Sequence, residues 1–135
     1  MSDATIKLVQ AYYNAFNAGD MTTFLSLLTD DVLHDINQGK AEVGKPAFAK
    51  FMERMNAHYR EQLENIVIMS SAHGDRAAAE FTVVGEYLQT DTGLPAAKGQ
   101  RYRLPAGAFF TVRDNKIARV TNYYNLQDWI AQVSA

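Results

Sequence analysis

The run Glu61-Gln62-Leu63-Glu64-Asn65-Ile66-Val67-Ile68-Met69-Ser70-Ser71-Ala72-His73-Gly74-Asp75-Arg76-Ala77-Ala78-Ala79-Glu80-Phe81-Thr82-Val83-Val84-Gly85-Glu86-Tyr87 decides the fold. Here the spacing of apolar residues changes from helical to alternating. Glu80 and Glu86, for example, interleave with Phe81, Val83 and Tyr87, the pattern of a strand with one face covered. His73-Gly74-Asp75 supplies the turn chemistry between two such strands. The pattern predicts strands over 61–72 and 76–90, then over 99–113 and 116–125, with Arg113-Asp114-Asn115 as the last hairpin turn. Asp91 to Gly99 is a longer loop containing glycine and proline, read either as a lid or as a plain connection.

Working back from Glu61, the periodicity is helical. Ile6, Val9, Tyr13 and Phe16, widened by Leu8 and Tyr12, form one apolar stripe, with Ser2 or Asp3 as its cap. Asn17-Ala18-Gly19 stops this helix. Asp20 caps a short second one that turns Met21, Phe24, Leu25 and Leu28 inward and ends at Thr29-Asp30-Asp31. Val32 to Asn37 is extended, and Gln38-Gly39-Lys40 breaks it. Gly44-Lys45-Pro46 opens a third helix, since proline fits a first turn, with Phe48, Phe51, Met52, Met55 and Tyr59 on its buried face. Downstream, Leu126, Trp129, Ile130 and Val133 form a closing helix. Helices segregated to one side of a meander define an α+β layer fold. The expected architecture is a single domain over 1–135, in which a cone-shaped, strongly bent antiparallel sheet wraps over the N-terminal helices and encloses an apolar pocket.

Composition narrows the chemistry. The 135 residues are 47% hydrophobic and 21% charged, which suffices for an independent core, and the net charge of −2 gives no electrostatic reason for nucleic acid or an anionic membrane as partner. There is no cysteine, hence no disulfide, thiolate metal site or thiol nucleophile. No signal-peptide pattern and no long apolar run occur, so a cytoplasmic location is expected. His34, His58 and His73 share no metal-ligand spacing; His58 and His73 read as surface residues. His34 and Asp35, adjacent on a strand, point to opposite faces, so no metal site is expected.

Asp35 is the most informative residue, a carboxylate between Leu33 and Ile36 in an apolar strand. It reads either as a general base in an apolar pocket or as a strand-end aspartate bonded to the amide of Gln38 or Gly39. Tyr12 reads as a hydrogen-bond donor to a ligand oxygen or as a core tyrosine bonded to backbone. In Asn122-Tyr123-Tyr124-Asn125, Asn122 and Tyr124 share the inward face with Val120. Arg119, Thr121 and Tyr123 share the outer one. Asn122 could orient a carbonyl or a water, or simply satisfy a strand end. The outer arginines Arg101 and Arg103 are solvated, with a glutamate across the sheet as a partner for one of them.

The segment Val9-Gln10-Ala11-Tyr12-Tyr13-Asn14-Ala15-Phe16-Asn17-Ala18-Gly19-Asp20 resembles the first helix and turn of bacterial ketosteroid isomerase, and the similarity runs on through Thr29-Asp30-Asp31. The whole chain is similar to the nuclear-transport-factor-2-like superfamily, which includes polyketide cyclases and limonene epoxide hydrolase. The runs Asp31-Val32-Leu33-His34-Asp35-Ile36-Asn37-Gln38-Gly39 and Asn122-Tyr123-Tyr124-Asn125-Leu126-Gln127-Asp128-Trp129 resemble a subgroup labelled ketosteroid-isomerase-related. The resemblance implies that Tyr12 is the donor to a substrate oxyanion. It also implies that Asp35 moves the proton, provided one residue is deleted after Asp31. The isomerase's second oxyanion donor, a protonated acid, falls on Ala108, and the acid–base aspartate of the cyclases falls on Asn122. Neither catalytic set is complete, and loss of one oxyanion donor costs on the order of 100- to 1000-fold in rate.

The resemblance therefore implies a cofactor-independent isomerase- or lyase-type enzyme that moves a proton next to the carbonyl of a small apolar, steroid- or polyketide-like molecule. Asp35 and Tyr12 would be catalytic, and Asn122, Tyr124, His34, Phe16, Ala108 and Phe110 would line the substrate site. The alternatives are a pocket that binds a hydrophobic ligand without chemistry, and a partner-binding module whose pocket is filled by Phe16, Phe51, Phe110 and Trp129. In each case a homodimer through the outer sheet face is expected. The side to which Asp35 points separates the enzyme from the alternatives.

Overall fold

Asp20, placed after the left-handed Gly19 (φ 70°), accepts a hydrogen bond from the Thr23 amide at 3.1 Å and starts a new helix there. In the computed structural model, which describes residues 3–37 and 39–135, this junction separates α1 (Asp3–Ala18) from α2 (Met21–Ser26). The chain continues through β1 (Leu28–Asp35), β2 (Ala41–Val43), α3 (Lys45–His58), β3 (Tyr59–Ser70), β4 (Arg76–Tyr87), β5 (Arg101–Arg113), β6 (Lys116–Tyr124) and α4 (Leu126–Ser134). A cap by Ser2 and a bond from Asp35 to the Gln38 amide both lie outside the described residues.

The six strands form one curved, unclosed sheet in the order β2-β1-β6-β5-β4-β3. The long meander follows the sequence pattern, but four features depart from it. Tyr59, expected on the third helix, instead opens β3 and pairs with Tyr87, because the chain turns extended directly after His58. Strand β1 begins at Leu28, so the second helix is shorter than expected and Thr29-Asp30-Asp31 is strand. Strand β2 pairs with β1 as an unforeseen edge. The sheet is also not wholly antiparallel, since β1 runs parallel to β6. Bulges bend it. One between Glu64 and Val67 contains Asn65 in the left-handed region (φ 55°), a conformation asparagine tolerates.

The concave face carries two apolar clusters. In the first, Tyr12 and Tyr13 of α1 pack edge-on against Phe110 of β5, and the Tyr12 ring lies 4.5 Å from that of Phe24 of α2 with the planes tilted by 30°. In the second, Trp129 of α4 meets Tyr59, Tyr87 and Tyr102. Full burial of each large side chain contributes about 1.5–3 kcal/mol, so both clusters hold helix to sheet. Gln132 adds a polar clamp, bonding both the N–H and the C=O of Arg103 at 2.8 and 2.9 Å. Arg103 also pairs with Glu64 across the sheet at 3.1 Å. No helix among the described residues is long and apolar enough to cross a membrane.

Candidate functional site

Between the clusters lies a mostly apolar cavity of about 890 Å³, within the usual range for small-molecule sites. One end is walled by Tyr12, Tyr13, Phe16, Phe24, His34 and Phe48, and the other by Tyr59, Glu61, Asp91, Tyr102, Leu104 and Trp129. Asn122 and Tyr124 stand between. Phe16, Phe51 and Trp129 thus wall the cavity rather than fill it.

The alternation of strand β1 decides which of two neighbouring residues reaches this space. His34 pairs with Val120 of β6 and faces inward; Asp35 pairs with Thr121 and faces outward. On the outer face the Asp35 carboxylate accepts a 2.6 Å hydrogen bond from the Thr121 hydroxyl. Arg119 lies 3.9 Å away and itself donates to Thr121 at 2.7 Å. Asp35 therefore does not open into the cavity, and the Gly39 amide considered for it bonds the Ile36 carbonyl instead, at 3.2 Å. Its expected place as the pocket base is corrected, and His34 occupies the corresponding inward position.

His34 is only 2% exposed. Its ring stacks on Phe48 of α3 at 4.1 Å with planes 7° apart, and Phe51 meets it edge-on at 4.6 Å. Burial lowers its pKa to about 4, against a small opposing pull from the Asp35 charge, so the ring is neutral at pH 7. Among the described residues its buried Nδ1 has no hydrogen-bond partner, and neither has the Tyr13 hydroxyl. An unpaired buried polar group costs about 1–3 kcal/mol. The Tyr12 hydroxyl is kept protonated by burial and remains a donor. Asn122, two residues beyond Val120 on the same face, is a diagonal neighbour of His34, within about 8 Å by strand geometry.

Two other expected wall residues are displaced. Ala108 and Phe110 sit in the core beneath Tyr12 and Tyr13 and are covered by α1, so neither lines the cavity. Phe16, His34, Asn122 and Tyr124 do line it.

The opposite end holds polar residues that the sequence reading passed over. Glu61 accepts a 2.6 Å hydrogen bond from the Tyr102 hydroxyl, and burial raises its carboxyl above the ordinary value despite that bond. Asp91 anchors the 88–100 loop. It takes bonds from the Tyr59 hydroxyl at 2.8 Å and from Arg54, while the Tyr87 hydroxyl accepts from its backbone N–H at 2.9 Å. Burial disfavours the charged form of Asp91, but Tyr59 and Arg54 outweigh it and hold the carboxyl below its usual range. Nothing local in sequence marks these residues, because each partner is on a different strand or loop. Among the described residues no group of side chains has the arrangement of a metal site.

A bent sheet over N-terminal helices, with a cavity on its concave side, defines a nuclear-transport-factor-2-like, polyketide-cyclase-like protein. More narrowly, the chain belongs to the SnoaL-like domain family, whose model matches residues 9–120. It is similar to a candidate polyketide cyclase of Pseudomonas putida KT2440 with 64% identity over 98% of this chain and 99% of that one, at a TM-score of 0.94. A candidate polyketide cyclase of Xanthomonas campestris pv. campestris is 58% identical over 96% of each chain, at 0.93. An LEH-like epoxide hydrolase of M. tuberculosis, 20% identical over 97% of this chain and 85% of that one at 0.77, shares the fold. No curated protein matches the chain.

Proposed function

We propose that the chain is an isomerase- or cyclase-type enzyme that moves a proton next to the carbonyl of a small apolar molecule, with His34 in the role expected of Asp35. The observation that carries this reading is the buried, neutral imidazole of His34, whose Nδ1 has no hydrogen-bond partner among the described residues, in the wall of a mostly apolar cavity that Tyr12 also lines. A neutral imidazole can accept a proton. The C–H bond breaks toward a ring nitrogen, and its electron pair moves onto the carbonyl oxygen as an enolate. Tyr12 donates to that oxygen, and Asn122 can hold the substrate. The proton then returns to the same carbon or a conjugated one, with no net loss. A pKa of about 4 suits such a base: the aspartate base of ketosteroid isomerase sits near ~4.6, and an enolate beside the imidazolium raises the proton affinity during reaction. Membership of the SnoaL-like family and likeness to candidate polyketide cyclases support the reading.

The test is exchange of α-hydrogens for deuterium in an apolar aryl ketone, followed by mass spectrometry. The native chain should accelerate exchange. His34→Phe should abolish it, Tyr12→Phe should slow it by about 100- to 1000-fold, and Asp35→Asn should leave it within about two-fold. Exchange that survives in His34→Phe removes this mechanism. The non-catalytic alternative is favoured by the outward-facing Asp35, and by Ala108 standing in the core where the isomerase has its second oxyanion donor. It predicts a ketone that binds yet never exchanges.

The same proposal keeps the homodimer. The outer face exposes Phe109 and Tyr123, 49% and 56% accessible and packed edge-on at 5.8 Å, together with Val67 and Met69.

A further inference from the structure

Glu61, Gly85 and Tyr102 stand in one row across three strands: Glu61 is registered with Gly85, and Gly85 with Tyr102. The absence of a side chain at Gly85 lets the Tyr102 ring lie flat across the middle strand. A Cβ at that position would come within 2.5 Å of the Tyr102 hydroxyl oxygen and 2.6 Å of Cε2. The ring thereby reaches Glu61 and donates to its Oε2 at 2.6 Å.

This arrangement positions a carboxylate. One oxygen is held by Tyr102, and Oε1 has no hydrogen-bond partner among the described residues. No cation pairs with Glu61 there either. Both residues line the cavity at the end away from His34, beside Leu104 and Trp129. Glu61 is half-buried and its free Oε1 is not sealed in the protein interior, so a donor supplied by a ligand in the cavity can reach it. Arg54 at this end is already paired with Asp91, and in a mostly apolar cavity a neutral hydroxyl is the donor that costs least to desolvate.

We propose that Glu61, positioned by Tyr102 lying across Gly85, is a second polar subsite that takes a hydroxyl group, so that the ligand class is a ketone bearing a hydroxyl at the end remote from its carbonyl. The ketone half of this statement rests on the proposed function; the hydroxyl half does not.

Two probe series test it: a naphthalene and a biphenyl, each carrying an acetyl group and a hydroxyl at opposite ends, with their methoxy and unsubstituted partners. Affinities are measured by fluorescence titration against the native chain, Glu61→Gln, Glu61→Leu and Tyr102→Phe. In at least one series the hydroxyl compound should bind about ten-fold more tightly than its partners, the worth of one charge-assisted hydrogen bond. Glu61→Leu should erase that preference, with Glu61→Gln and Tyr102→Phe intermediate. Equal affinities within both series, or a preference that persists in Glu61→Leu, overturn the proposal. Replacing acetyl by ethyl, and His34 by Phe, reports on the other end separately. If acetyl confers nothing while the hydroxyl preference follows Glu61, the ketone reading fails and the subsite stands. Acetyl dependence without a hydroxyl preference means the opposite.

Discussion

Substituting Gly85 by alanine adds one methyl group to the middle of β4, and its effect can be worked from the row just described. Outside this context the change should be mildly favourable, because alanine reduces the freedom of the unfolded chain. Here the new Cβ meets the Tyr102 ring. Tyr102 is packed edge-on at 5.8 Å against Trp129 and is buried, so its way out is to swing into the cavity. That movement breaks the bond to Glu61, worth about 1.5–3 kcal/mol for a charged acceptor. It adds overpacking of about 1–3 kcal/mol, for a total of about 2.5–6 kcal/mol. At roughly 3–5 °C per kcal/mol for a chain of this size, the melting temperature should fall by roughly 8–30 °C. Trp129, the single tryptophan, touches the displaced ring and reports unfolding by fluorescence in urea. The decisive control is a double-mutant cycle. In a Tyr102→Ala background the Gly85→Ala change should cost less than about 1 kcal/mol, because nothing remains to collide with. An equal cost in both backgrounds would refute the explanation, since the strain would then come from the backbone rather than from Tyr102.

Stability should also depend on pH through His34. The unfolded imidazole takes a proton near 6.5 and the folded one only near 4, so the unfolded state binds more protons in between and stability declines as pH falls through that window. At 1.36 kcal/mol per pKa unit the full loss is about 3 kcal/mol, and urea titrations of His34→Phe should lack it. On the outer face, Tyr123→Asp should convert a dimer into a monomer in sedimentation equilibrium at micromolar concentration. A native chain that already sediments with the mass of one chain removes the dimer proposal.

Much of the architecture was legible in the sequence because it depends on local periodicity. The alternation around Glu80, Phe81 and Val83 marks a strand wherever it is placed, and Asp20 caps a helix through a bond only three residues long. The stripe of Leu8, Val9, Tyr12 and Tyr13 likewise announces which side of α1 is buried. The positions of Tyr12 and Asn122 in the cavity wall follow from such patterns.

Tertiary structure alone decided the identity of the inward group on β1. Between the Leu28–Ile117 and Leu33–Arg119 pairs, β1 advances five residues while β6 advances two, and this irregularity sets the register of everything after it. A shift of one residue exchanges the two faces of a strand, so either His34 or Asp35 could have entered the cavity with the same local sequence. The pairing of Glu61 with Tyr102 was equally hidden, because it joins residues 41 positions apart across a third strand. Short-range patterns determine which elements form. Long-range register determines which side chains meet, and the candidate site is made of such meetings.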